Sequence, residues 1–462
     1  MLGLRWMIAC HPHSGQNAPP MYGDFEAQRH WMEVTYNLPI SDWYQNTSKN
    51  DLGYWGLDYP PLTAYHSWVL GLVANTTAKE IVQLGVRGPE TFAVKIFMRA
   101  TVLATDLAVL FPATCAYFGS FSLLILALAA PALILIDHGH FQFNGASLGL
   151  ALLAFSSMKR DRMIPAAIWF SLALNFKQME LYHSLPVFFY MLAWSFHRGR
   201  GLFSVSKIGL FVALVFGLML MPWIVLGTQS LVAVMRRLFP FNRGLYESKV
   251  ANFWCTINVL YKVNTSEMRS VMVPLCLVTT LAVALPSCVH LFVKPVFRNF
   301  KLTLFIVSLS FFLFSYHVHE KSILLAVLPS LMLLDDYPSV CVFFLFMSAS
   351  SMFPLFVLDE LLWAYFGITL IFSALLYFLR IRLRMFMWVV FVSGQFLNLA
   401  SLFIPPPEKL PDLFAVVISA YSFTTFSAVL VYFYYEQFFG DQFPVDSRRV
   451  KTSSDEETKK IK

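Results

Sequence analysis

Residues 304–316, "LFIVSLSFFLFSY", give the clearest indication of the fold. This stretch has no charged side chain and no strict alternation of polar and apolar residues, so it predicts a membrane helix and not a barrel strand. Similar runs recur along the 462 residues, of which 57% are hydrophobic and only 13% are charged. Soluble domains carry about 25% charged residues. The composition therefore predicts an all-α polytopic membrane protein whose backbone polar groups are satisfied within helices.

Apolar runs between residues 97 and 438 predict a multi-span transmembrane domain with about thirteen spans. Several runs are shorter than the roughly 20 residues of a straight span, which indicates broken or partly re-entrant segments. Residues 1–20 resemble the stump of a truncated first membrane helix. Residues 21–96 form a first loop, and residues 439–462 form a charged tail.

The loops indicate the orientation of the chain in the membrane. Basic loops such as "KRDR" (159–162) and "RIRLR" (380–384) fall on one side of the predicted topology, which the positive-inside rule makes cytosolic. The opposite face carries the first loop and all three N-x-S/T sequons, at Asn46, Asn75 and Asn264. This face is therefore expected to be lumenal. Within the first loop, residues 62–74 rise only about 20 Å as a helix, so they predict an interfacial helix and not a crossing.

Several classes of protein are excluded or disfavoured by the rest of the sequence. The net charge is +7, but the basic residues are spread through short loops, so we expect no nucleic-acid partner. Six cysteines lack paired spacing and are interpreted as small buried apolar groups. Phosphate-loop, dinucleotide-binding and serine-hydrolase motifs are absent from the sequence, which argues against an ATPase or a soluble nucleotide-sugar enzyme.

The C-terminal "DEETKKIK" places Lys459 and Lys460 four and three positions from the end. A cytosolic dilysine there resembles an endoplasmic reticulum retrieval signal, and the alternative is a solvated basic tail. We therefore expect a protein of the endoplasmic reticulum membrane with a cytosolic C-terminus.

Ionisable groups near membrane depth are candidates for function because they are costly to place there. In "GDFEAQRHWME" (23–33), Asp24 follows a glycine and precedes a helix-like run. It fits a helix N-cap as well as a general base, and nothing local separates the two. In "YWGLDYPPLTAYH" (54–66), Asp58 fits a turn or cap residue, and the aromatic residues fit either an interface belt or a sugar platform.

Two later clusters repeat a His-x-His pattern, "HGHFQFN" (138–144) and "HVHEKS" (317–322). Their alternate histidines raise the possibility of a four-histidine metal site, but no H-E-x-x-H helix motif accompanies them. The cluster His319, Glu320 and Lys321 fits an anionic headgroup better, or a surface ion pair. A fifth candidate cluster consists of Lys177, Glu180 and His183.

Seven motifs occur in order along the chain: "YGDFEAQRHWMEVTYNLP", "YWGLDYPPLTAYH", "LILIDHGHFQFN", "NFKQMELYH", "RRLFPFNRGLYESKVANFWC", "HEKSILL" and "PPPEKLPDLF". From about residue 11 to the C-terminus they closely resemble the endoplasmic reticulum α-1,3-glucosyltransferases that use dolichyl phosphate glucose. Two motifs, "GDFEAQRHWME" and "NFKQMELYH", look more like members that add the first glucose to the dolichol-linked oligosaccharide Man9GlcNAc2. Addition of the second glucose is the alternative.

The resemblance implies a GT-C fold with a large first lumenal loop, and an inverting transfer that needs no metal or other cofactor. It implies that Asp24 is the general base, that Asp58 belongs to a second acidic motif, and that His319 and Glu320 lie at the phosphate of the donor. Lys321 and Gln142 are further candidates for substrate binding. The implied partners are dolichyl phosphate glucose, the dolichol-linked oligosaccharide acceptor and the lipids of the endoplasmic reticulum membrane.

The sequence departs from this family in two places. A full first span is missing from residues 1–20, and the loop at residues 118–122 lacks basic residues. A membrane transporter or lipid flippase is a competing hypothesis, since it also carries ionisable groups within the membrane. A transporter or flippase should place its ionisable groups at the membrane midplane, within two related halves. In this sequence the ionisable groups cluster at the expected lumenal ends, and no internal repeat is evident. An inactive homologue kept for assembly is a third hypothesis.

Overall fold

A computed structural model of the chain describes residues 1–199, 201–239, 244–246, 249–265 and 267–440. Within those ranges the fold is helical, and the only β structure consists of two isolated bridges. The predicted all-α fold is confirmed. The dilysine at Lys459 and Lys460 lies outside the described residues.

The first part of the chain contains short helices that pack beside one another. Its α-helices are Leu2–Ala9, Gly23–Asn37, Pro61–Thr77 and Phe92–Thr105, and its 3-10 helices are Ile40–Asp42 and Lys79–Val82. The predicted interfacial run falls within Pro61–Thr77, which starts with a proline because the first turn of a helix needs no backbone N–H donor. Gly71 of this helix packs so closely on Gly23–Asn37 that a Cβ would lie 2.9 Å from the carbonyl oxygen of Met32.

The rest of the chain forms a large helical body. Its α-helices are Phe111–Tyr117, Phe121–Leu128, Pro131–Ile134, Asn144–Lys159, Met163–Phe176, Ser184–His197, Gly201–Val225, Thr228–Leu238, Phe253–Ile257, Arg269–Val293, Phe297–Phe314, Leu324–Met332, Pro338–Ser351, Phe353–Leu358, Leu362–Phe378, Met385–Phe403 and Leu413–Phe439. Two π-helical segments, Asp106–Leu110 and Leu135–Phe141, and two 3-10 turns, Gln178–His183 and Glu320–Ile323, complete it.

Among the described residues, five helices are long and apolar enough to span a bilayer: Gly201–Val225, Arg269–Val293, Phe297–Phe314, Met385–Phe403 and Leu413–Phe439. A sixth results if Phe121–Leu128 and Pro131–Phe141, which meet at a bend of 43°, form one span. Three more apolar helices, Met163–Phe176, Pro338–Ser351 and Leu362–Phe378, are shorter. The count of thirteen spans and the division into stump, loop, membrane domain and tail stay predictions.

The stretch at residues 304–316 lies largely on the helix Phe297–Phe314, which is mostly buried inside the protein. Phe305 of this helix packs edge-on against Phe344, with ring centroids 4.9 Å apart, and against Phe433 at 4.7 Å. The helix Gly201–Val225 is instead mostly exposed and apolar, as expected of a surface that faces lipid. The stretch at residues 304–316 thus lies mostly in the protein interior.

Candidate active site

A cavity of about 580 Å³ lies where the first-loop helices meet the larger helical body. Its lining includes all six residues that the sequence analysis proposed for the site: Asp24, Asp58, Gln142, His319, Glu320 and Lys321. Asp24 and Lys321 are 297 positions apart in the sequence, and yet their side chains are in contact. The structure therefore brings these residues together, although their roles stay predictions.

A tight turn in front of the helix Gly23–Asn37 positions Asp24. Tyr22 and Gly23 both have left-handed backbone conformations, with φ of 57° and 65°. Gly23 is required there, because a Cβ would lie 2.6 Å from the backbone of Ser14. The N-cap of this helix is Tyr22, and the side chain of Asp24 accepts hydrogen bonds from other parts of the chain. The N-cap interpretation of Asp24 is therefore wrong.

Three donors converge on a single oxygen of Asp24, Oδ2. The Nζ of Lys321 lies 2.5 Å away, the Nε2 of His140 lies 3.0 Å away, and the amide of Gln142 donates a third hydrogen bond. The Asp24 side chain is 21% exposed, so it borders the cavity without being open to bulk solvent. Burial alone would raise the pKa of Asp24, but Lys321 and His140 outweigh it and hold the pKa well below its usual range. Asp24 is consequently ionised at neutral pH.

The short turn Glu320–Ile323 presents two opposite charges to the cavity. Burial alone would lower the pKa of Lys321, but the adjacent Asp24 carboxylate raises it above its ordinary value. Burial raises the pKa of Glu320. The Oε2 atom of Glu320 is buried and accepts no hydrogen bond from the described residues. An acceptor of this kind on a cavity wall can receive a hydrogen bond from a ligand.

The lining of the cavity includes two further cations, Lys177 and Arg237. Lys177 donates to Asn144 Oδ1 at 2.5 Å, and its ammonium lies 5.1 Å from the ring centre of Tyr59. Arg237 donates to the carbonyl of Leu57 at 3.1 Å. The cavity thus combines carboxylates, cations and an aromatic face, which suits a ligand with both sugar and phosphate groups.

The sequence matches the family model described as the ALG6, ALG8 glycosyltransferase family over residues 1–432. The chain is a member of the ALG6, ALG8 glycosyltransferase family.

Similar proteins carry a more specific name. The Gallus gallus "Dolichyl pyrophosphate Man9GlcNAc2 alpha-1,3-glucosyltransferase" is 41% identical and covers 94% of both chains. A "probable" enzyme of the same name from Caenorhabditis elegans is 40% identical over 95% of this chain and 88% of its own length. The one from Schizosaccharomyces pombe is 38% identical over 93% and 88%, respectively.

The match confirms the family predicted from the seven motifs. Family membership and the apolar helices together make the chain a multi-pass membrane glycosyltransferase. The matched family is one of glycosyltransferases, which contradicts the transporter or flippase considered as an alternative from the sequence. The missing full first span and the lack of basic residues at 118–122 still distinguish this sequence from the family pattern. The short helix Leu2–Ala9 is nevertheless held by contacts with the rest of the structure. Its Arg5 donates to Asp106 Oδ2 at 2.8 Å and to the carbonyl of Leu128 at 2.9 Å.

The four histidines do not converge on one point in this ALG6, ALG8 family member. His138 Nε2 contacts Asp106 Oδ2 at 2.9 Å, whereas His140 contacts Asp24. In the described parts of the chain, no group of three or more His, Cys, Asp or Glu side chains is arranged to hold a metal ion. The described residues thus do not gather the four histidines into one ligand set, and a reaction without a metal stays a prediction.

Other residues at the site were missed by the sequence analysis. It treated His140 only as a possible metal ligand, and it gave no role to Arg237 or to Asp359, whose carboxylate contacts His140. A signal for Asp359 does exist, because it is one of only two charged residues between Asp336 and Arg380. Acidic residues isolated in long apolar stretches are candidates for function or for burial with a partner.

Proposed function

We propose that this chain transfers glucose from dolichyl phosphate glucose to Man9GlcNAc2 on dolichyl pyrophosphate, with formation of an α-1,3 linkage. The names of relatives that are about 40% identical over nearly the whole chain support this acceptor and linkage. The observation that carries the mechanism is the contact of one ionised carboxylate, Asp24, with the ammonium of Lys321 in a single cavity. In a displacement at a sugar phosphate, the carboxylate can accept the proton of the attacking hydroxyl. The ammonium can stabilise the departing phosphate.

The reaction we propose is a single displacement with inversion. Asp24 accepts the proton of the acceptor hydroxyl as its oxygen bonds to C1 of the glucose. The C1–phosphate bond breaks on the opposite face, and its electron pair leaves with dolichyl phosphate. A β-linked donor then gives an α-linked product. Phosphate is already a good leaving group, so one base and cations for the phosphate are sufficient without a metal.

The contacts of Asp24 impose a condition on this mechanism. A carboxylate held by three donors has a low pKa and is therefore a weak base. Among these three donors, Lys321 is the lysine cation that lines the cavity, so it can pair with another anion there. We propose that Lys321 turns toward the donor phosphate when the substrate binds, which leaves Asp24 more basic at the time when it must accept the proton.

Lys321→Gln tests this exchange of partners. Loss of the ammonium should lower kcat/KM for the donor by about 10²-fold, the cost of removing one stabilising donor in an active site. Because the ammonium depresses the pKa of Asp24, that pKa should rise in the variant. In the wild type, activity due to Asp24 should be lost only as pH falls below the ordinary carboxyl range. In the variant this loss should begin at a higher pH.

The matched control for this experiment is Lys79→Gln, which removes an exposed lysine of the first loop. It should leave both kcat/KM and the pH profile unchanged. An acid limb at the same pH in the wild type and in Lys321→Gln would rule out the coupling between Lys321 and Asp24.

The proposed function is tested with purified protein and labelled dolichyl phosphate glucose. We expect transfer to a lipid-linked Man9GlcNAc2 acceptor, little transfer to the same acceptor already carrying one glucose, and no loss of activity in EDTA. Efficient transfer only to the glucosylated acceptor would assign the second-glucose reaction instead. Loss of activity in EDTA with recovery on adding a metal would contradict the metal-free mechanism.

We propose that the protein lies in the endoplasmic reticulum membrane with this cavity on the lumenal side and the C-terminus in the cytosol. Asn46 provides a test, because it is exposed in the first loop within an N-x-S/T sequon. Asn75, in comparison, lies in the last turn of the helix Pro61–Thr77. In cells we expect a glycan at Asn46 that endoglycosidase H removes and that Asn46→Gln abolishes.

A first loop that stays unglycosylated, together with labelling of an introduced loop cysteine by a cytosolic reagent, would reverse the proposed orientation. The positive-inside assignment of the basic loops would then be wrong as well.

A further inference from the structure

The imidazole of His140 lies between two carboxylates. Its Nε2 is 3.0 Å from Asp24 Oδ2, and its Nδ1 is 2.5 Å from Asp359 Oδ2. The side chains of His140 and Asp359 are only 3% and 5% exposed, so water competes little for these contacts. The mechanism described above uses Asp24 but gives no role to Asp359.

The chemistry of the two contacts determines where the ring carries its hydrogens. An ionised carboxylate can only accept a hydrogen bond, so the Nδ1 that faces Asp359 must donate. The same argument applies to Nε2, which faces the ionised Asp24 Oδ2 and therefore also donates, so the ring carries a hydrogen on both nitrogens. The Nζ of Lys321 lies 3.1 Å from Nε2. The ring of His140 is thus oriented by Asp359 toward the carboxylate that we propose as the base.

Asp359 is itself held rigidly at a helix end. Its backbone N–H donates to the carbonyl of Leu355 at 3.0 Å, and the N–H of Leu361 donates to the carbonyl of Phe356 at 2.8 Å. Glu360 between them has a left-handed backbone with φ of 57°. The turn connects the helices Phe353–Leu358 and Leu362–Phe378, far in sequence from the first loop.

We propose that Asp359 is a positioning residue for the transfer reaction, acting on Asp24 through His140. This inference rests on the proposed function, since it assigns Asp359 to the base of that reaction. Asp359 contacts neither substrate: it fixes the ring whose Nε2 helps to hold the Asp24 carboxylate in place. The arrangement parallels the general use of a buried carboxylate to fix the orientation and tautomer of a histidine.

The charged groups around His140 come from four elements. Asp24 faces it from the helix Gly23–Asn37, Lys321 from the turn Glu320–Ile323, and Asp359 from the loop described above. Arg99, on the helix Phe92–Thr105, donates to the carbonyl of His138 and interacts electrostatically with Asp359. Glu320, on the same turn as Lys321, also interacts electrostatically with His140. Removing the charge of Asp359 leaves Asp24, Lys321, Glu320 and Arg99 in place.

Asp359→Asn is the first test, because a neutral amide no longer provides the charged acceptor that holds Nδ1–H and orients the ring. We expect kcat to fall by about 10²-fold, the cost of a small misplacement in an active site, with KM for both substrates within about twofold of the wild type. The acid limb of the kcat/KM profile should move to higher pH, because a displaced His140 no longer lowers the pKa of Asp24. The matched control is Glu360→Gln, which alters the exposed neighbouring carboxylate and should change nothing.

Two further variants separate positioning from a general loss of structure. In a His140→Gln background, Asp359→Asn should cause no further loss, because both substitutions break the same chain of contacts. Asp359→Glu keeps the accepting charge and should recover activity to within about tenfold of the wild type.

Wild-type kcat and an unshifted pH profile in Asp359→Asn would overturn the inference, as would a full additive loss in the His140→Gln background. An equal defect in Asp359→Glu and Asp359→Asn would also count against it. If the wild type itself makes no glucosylated product, the proposed function fails instead, so the two failures are distinguishable.

Discussion

Asp24→Asn is expected to lower kcat for glucose transfer by about 10²–10⁴-fold, the range over which a positioned general base contributes. Asparagine has nearly the same shape but cannot accept the proton of the acceptor hydroxyl. The substitution also releases Lys321 from its contact with Asp24 Oδ2, so binding of the donor phosphate should be preserved or strengthened. The loss should therefore appear in kcat and not in KM for the donor.

The control for this substitution is Asp51→Asn, which alters an exposed carboxylate of the same loop. Asp51 is 3.6 Å from Arg87, and both side chains are more than half exposed. It should retain wild-type rates, since exposed ion pairs contribute little. Folding of both variants is checked by size-exclusion chromatography and tryptophan fluorescence in detergent. Near-normal turnover by folded Asp24→Asn would reject Asp24 as the base.

Arg29→Ala is expected to cause the largest loss of stability, about 3–5 kcal/mol, because it leaves buried charges without a partner. Arg29 Nε donates to Glu26 Oε2 at 2.6 Å, and its Nη2 donates to Glu33 Oε2 at 2.7 Å. All three side chains are at most 2% exposed. Arg29 also donates to the carbonyl of Ile81 at 2.6 Å, so it ties the helix that carries Asp24 to the end of the first loop.

Hydrogen exchange of the helix Gly23–Asn37, followed by mass spectrometry, measures this loss as the free energy of local opening. The control is Arg87→Ala, which removes an exposed arginine stacked on Tyr54 and should have a small effect. Adding Glu26→Gln and Glu33→Gln to Arg29→Ala should recover part of the stability, since the unpaired charges are then gone. Unchanged exchange in Arg29→Ala would show that this cluster does not stabilise the loop.

Sequence reasoning was strongest where one physical effect dominates. The apolar stretch at residues 304–316 predicted a membrane helix, and it lies on a mostly buried helix. The breaks were harder to predict, because hydropathy does not register them. The run at 121–136 divides at Leu128 before Pro131, and the π-helical segment Leu135–Phe141 follows. Each break depends on local packing and backbone geometry.

At the site, too, neighbouring residues in the sequence indicate less than the contacts between residues that are far apart in the sequence. From its own neighbours, Asp24 could be a helix cap or a base. The cap is excluded by the position of the helix start and by the contacts of Asp24 with Lys321 and Gln142, which are far away in the sequence. The role of Asp24 as the base stays a prediction. The spacing of Glu26, Arg29 and Glu33 at i, i+3 and i+7 did carry a signal for a helical ion cluster. Asp359 could not be paired with His140 from the sequence, since 219 positions separate them.

We propose above that the cavity around Asp24 transfers one glucose in a single inverting displacement. The most direct test is nuclear magnetic resonance of the product made by the wild type from ¹³C-labelled β-dolichyl phosphate glucose and lipid-linked Man9GlcNAc2. We predict a single labelled glucose in α-1,3 linkage to the oligosaccharide. A β-linked product, or a labelled glucose bound covalently to Asp24, would contradict the account.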